Sequence, residues 1–85
     1  ICIVLADGNQ QFINYAYLIS GKFLVEENKI ILEFSANLVT LSGERLSGLF
    51  TQLMMHLPKK ICCVDHRYNS VAETNGFIIN QIEIK

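Results

Sequence analysis

Residues 38–58 read LVTLSGERLSGLFTQLMMHLP, and inside this stretch the hydrophobic period changes. Leu38 to Leu41 is a short apolar run of strand type, ended by Ser42-Gly43. From Glu44 to Leu57 the apolar residues Leu46, Leu49, Phe50, Leu53, Met54 and Leu57 recur at i, i+3, i+4, i+7, i+8 and i+11, the stripe of an amphipathic helix. Ser42 or Gly43 is expected to cap it, and Glu44 sits in the first turn, where the helix dipole favours an anion. Pro58 stops it, with Lys59 and Lys60 beyond, facing the carbonyl end.

Outside this helix the chain reads as strands. Ile1 to Ala6 is apolar at both parities, as in a strand covered on two faces, and Asp7-Gly8-Asn9 suits a tight turn. Gln11 to Ile19 reads as one long aromatic-rich strand containing Tyr15 and Tyr17. Phe23 and Val25 point inward, Glu27-Asn28 turns the chain, and Ile30, Leu32 and Phe34 point inward again, which predicts a hairpin. After the helix come a strand from Ile61 to Val64, a polar loop from Asp65 to Asn75, and a last strand from Gly76 to Ile84.

The expected fold is therefore α+β: a mostly antiparallel mixed β-sheet of six to seven short strands, with one amphipathic helix packed on one face. The link from Leu41 to Ile61 is long enough for a right-handed crossover, so these two strands are expected to run parallel. One helix covers two or three strands, so the far sheet face must be solvated, curled on itself or covered by another chain.

Size and composition narrow the function classes. Residues 1–85 are too few for two folded units, and an apolar share of 51% against 18% charged excludes disorder. No apolar run approaches the ~20 residues that cross a bilayer, so no membrane partner is expected. A net charge of −1 supplies no field for steering onto phosphates, so nucleic acid is not expected either. Cys2, Cys62 and Cys63 are odd in number and two are adjacent, which argues against a disulfide framework and for buried structural thiols. With no leader before the first strand and no Asn-x-Ser/Thr sequon, a cytoplasmic location is the expectation, although the chain starts with Ile1 rather than Met.

Chemistry-bearing residues are few. In Cys62-Cys63-Val64-Asp65-His66 an extended strand sets Cys62 and His66 on one face but roughly 13 Å apart, too far to share one zinc ion. His56 lies across the Pro58 turn from Cys62 and Cys63, which is the one arrangement that suggests a thiol nucleophile. The glycines Gly8, Gly21, Gly43, Gly48 and Gly76 stand apart and form no phosphate loop. Glu26, Glu27, Glu33, Glu73 and Glu83 form no acid/base pair, and Lys59, Lys60 and Arg67 are ordinary cations after a helix end. No catalytic, cofactor-binding or metal-ligating residue is assigned, and no cofactor is expected.

The back of the helix is more informative. Opposite the apolar stripe lie Ser47, Gly48, Thr51, Gln52 and Met55, and no Asp, Glu, Lys or Arg occurs from Leu46 to Pro58, whereas an exposed helix usually carries charged pairs. Gly48 costs up to about 1 kcal/mol in a helix interior relative to Ala, and its missing side chain lets another backbone come close. These five residues are the expected interface. The leading expectation is a non-enzymatic protein-interaction or self-association domain, a homodimer or other homo-oligomer. A small-molecule binding or thiol-dependent catalytic domain using Tyr15, Tyr17, Cys62 or His66 is the alternative.

Overall fold

The structure, a computed structural model, describes residues 1–63 and 77–85. It is α+β, and among the described residues there are seven strands in two sheets, mostly antiparallel, and one helix. The strands are β1 (Cys2–Val4), β2 (Gln10–Phe12), β3 (Leu18–Leu24), β4 (Lys29–Phe34), β5 (Leu38–Glu44), β6 (Lys60–Cys62) and β7 (Ile78–Ile84); α1 is Ser47–Met54. The smaller sheet has the order β2-β1-β6 and the larger β3-β4-β5-β7. Val64, the Asp65–Asn75 loop, with His66, Arg67 and Glu73, and Gly76 lie outside the described residues.

The first hairpin forms as its turn chemistry predicts. Gly8 takes φ +92, and the Asn9 backbone N–H donates to the Asp7 carboxylate at 2.9 Å. The long strand expected from Gln11 to Ile19 is instead broken, and Asn14 breaks it. Its side-chain oxygen accepts from the Ala16 N–H at 2.9 Å, capping a 3₁₀ turn over Tyr15–Tyr17. That turn sends β2 and β3 into different sheets. A second 3₁₀ turn, Val25–Glu27, with Asn28 left-handed at φ 53, closes the β3–β4 hairpin and leaves Val25 exposed rather than inward.

The parallel pair is not the one expected from the sequence. Both edges of β5 are occupied by antiparallel neighbours, β4 and β7, so β6 cannot join it and pairs in parallel with β1 instead. The helix also starts later than its pattern predicts. Ser42, Gly43 and Glu44 remain in β5, opposite Gln81, Ile79 and Ile78, and Arg45 turns the chain at φ 57. Neither Ser42 nor Gly43 is the cap; Leu46 holds that position with no side-chain hydrogen bond. Gly43 serves a close approach, since a Cβ there would lie 1.8 Å from the Ile78 carbonyl oxygen.

The core lies between the sheets and under the helix. Ile3 and Ile61 enter it from the smaller sheet, Ile30, Leu32, Val39 and Leu41 from the larger, Leu46 from the helix cap and Leu49 and Leu53 from α1. Only these three residues of the expected stripe are buried; Phe50 is half-buried, and Met54 and Leu57 are exposed, because α1 ends at Met54 and the chain reverses through His56 at φ 56. Among the described residues no helix is long and apolar enough to cross a membrane.

Candidate interaction surface

All five back-face residues, Ser47, Gly48, Thr51, Gln52 and Met55, are exposed, and nothing lies within 4 Å of where a Gly48 Cβ would stand. Helical spacing places Met54 beside Ser47 on the border of this face. Met54 and Met55 are 62% and 63% exposed, and Leu57 is also exposed just beyond the helix. Sequence periodicity assigns Met54 and Leu57 to the core; the structure moves both to the surface and so enlarges the apolar area at this end of α1.

The end of the helix is held by Tyr15. Its ring stacks on that of His56 with centroids 4.7 Å apart and planes 7° from parallel, and its hydroxyl donates to the Pro58 carbonyl oxygen. Partial burial raises the Tyr15 pKa above its ordinary value, because the phenolate would lose hydration. His56 is stacked on Tyr15, and no hydrogen bond joins it to Cys62.

The thiols are less buried than expected. Cys62 is exposed, and Cys2 and Cys63 are half-buried; Cys2 and Cys62 lie on the face of the smaller sheet turned away from Ile3 and Ile61. In that sheet Ile3 and Ile61 point into the core, so their neighbours point out. Phe12, Cys2 and Lys60 form one row of the outer face, and Gln10, Val4 and Cys62 the next. Phe12 is 84% exposed. Strands of three residues are too short for alternation to single out this face in the sequence. Cys2 and Cys62 sit diagonally across it, a separation of roughly 7 to 8 Å that no disulfide spans without backbone movement.

Tyr17 is exposed, and His66 lies outside the described residues. An open depression of about 470 Å³ at the β3–β4 hairpin is lined by Phe23, Leu24, Val25, Glu26 and Glu27, and contains none of Tyr15, Tyr17 or Cys62. Among the described residues no three His, Cys, Asp or Glu side chains converge as metal ligands would. Of the residues named for the alternative reading, Tyr15 and Tyr17 share one 3₁₀ turn and Cys62 stands on β6.

The third surface is a strand edge. β3 is the outermost strand of the larger sheet, with β4 as its one sheet neighbour among the described residues. Phe50 of α1 packs over it, 5.6 Å between ring centroids from Phe23 and 3.6 Å from where a Gly21 Cβ would stand. No protein-family model matches the chain, and no curated protein or solved structure is found to be similar to it.

Proposed function

We propose that this chain is a non-enzymatic interaction domain that associates with a second copy of itself. The observation that carries this reading is the uncharged, exposed back of α1: Met54, Met55 and Leu57 are exposed at its C-terminal end and Ser47, Gly48, Thr51 and Gln52 along it, with no Asp, Glu, Lys or Arg among them. Exposed apolar side chains that cluster, rather than scatter, mark association surfaces. A chain of this size buries only ~60 to 65% of its unfolded surface, so covering the excess stabilises it.

Native mass measured by light scattering over a dilution series tests the proposal. A dimer at micromolar concentration is expected, and Met55→Glu, which sets charge into the face, is expected to weaken it. A mass that stays monomeric up to ~1 mM, where association is worth only about 4 kcal/mol, overturns the reading.

A further inference from the structure

We infer that association runs through the edge of β3 that has no strand neighbour among the described residues, and that this edge pairs antiparallel with β3 of a second copy about a two-fold axis at Gly21. This rests on the self-association reading above and names its geometry. Residues 17–25 read YLISGKFLV: three apolar residues, Ser20, Gly21, Lys22, then three apolar residues. The pattern is the same from either end, and its centre is the middle residue of the seven-residue strand Leu18–Leu24. An isologous pairing needs this property, because residue i on one copy must meet residue j on the other while j meets i.

With Gly21 opposite Gly21, the regular segment Ser20–Lys22 pairs with itself. Ile19, 64% exposed, is out of the ladder at the register shift, and Tyr17 and Val25, 58% and 67% exposed, lie in the 3₁₀ turns at the two ends of the strand, so these apolar side chains flank the paired segment on both sides. Ser20 faces Lys22 of the second copy, so the one cation of the strand meets a hydroxyl and not another cation. Centring the axis one residue later would oppose Lys22 to Lys22. The occupant is thus specified by charge as well as by hydropathy.

The local geometry permits it. Ser20 to Leu24 pair regularly with β4, and the one register shift lies between Leu18 and Ser20, which takes Ile19 out of the ladder. An axis through directly opposed residues stands normal to the sheet, so each face of the joined sheet continues from copy to copy. Because Phe50 packs over Phe23 at this edge, the same operation sets the two copies of α1 side by side across the seam. Met54, one helical turn from Phe50, flanks that seam, so the strand edge and the helix end belong to one interface.

Ser20→Lys tests the register, read by native mass over a dilution series. Glu33 stands opposite Ser20 within the chain, 3.3 Å from Oγ to Oε1, so the new ammonium gains an internal partner and the fold is retained. Across the axis it meets Lys22 of the second copy twice per dimer, and the dissociation constant is expected to rise about tenfold. The double variant Ser20→Lys with Lys22→Glu restores opposite charges and is expected to return to within about threefold of the original. A dimer indifferent to Ser20→Lys but weakened by Met55→Glu overturns the β3 geometry and leaves self-association standing. A chain that is monomeric throughout overturns both.

Discussion

The Tyr15 ring lies flat on the His56 ring while its hydroxyl donates to the Pro58 carbonyl oxygen, so one side chain clamps the 3₁₀ turn to the end of α1 across 43 residues of chain. Tyr15→Phe keeps the stack and removes the hydroxyl, leaving the Pro58 carbonyl without that donor. Denaturant titration is expected to show a loss of about 1 kcal/mol. Tyr15→Ala removes both contacts and is expected to cost more.

The same residue sets a pH dependence. Its folded pKa lies above the ordinary 10.0 because burial disfavours the phenolate, so above pH 10 the unfolded chain gives up its proton first. Stability from this group is therefore constant below pH 10 and declines as pH rises toward the folded value. The slope above pH 10 is expected to be shallower in Tyr15→Phe; equal slopes would exclude Tyr15 as the source.

Leu53 and Leu57 occupy equivalent places on the apolar stripe but not in the fold. Leu53 is fully buried and Leu57 is 57% exposed. Leu53→Ala is expected to cost about 2 to 5 kcal/mol in chemical denaturation, and Leu57→Ala less than about 1.

Gly43→Ala should be among the most damaging single-methyl additions in this chain. The added Cβ would stand 1.8 Å from the Ile78 carbonyl oxygen, with the Ile79 Cα at 2.9 Å, so β5 and β7 must separate. A loss above about 3 kcal/mol is expected, read as a lowered denaturation midpoint. At Gly48 the sign reverses. The site is open and helical, so Gly48→Ala is expected to gain about 0.5 to 1 kcal/mol by the same measurement.

Alkylation should follow exposure on the outer face of the smaller sheet. Iodoacetamide at neutral pH is expected to modify Cys62 before the half-buried Cys2, as mapped by peptide mass. Protection of both thiols would mean that this face is covered in solution.

Local pattern alone carried the α+β class, the first two hairpins and the presence of one helix, because turn chemistry at Asp7-Gly8-Asn9 and Glu27-Asn28 and the stripe from Leu46 to Leu53 act over a few residues. The exposed back face of α1 was legible for the same reason. Tertiary structure decided what depends on distant partners. Gly43 reads as a cap until β7 is seen beside it; Met54 and Leu57 read as core until His56 reverses the chain; and β6 goes to β1 because β5 has no free edge left. Asn14 lies between these cases, since its cap is local but competes with a strand pattern that is equally local. A one-dimensional pattern can say which face of an element is apolar, but only the packed chain says which of those faces still meets water.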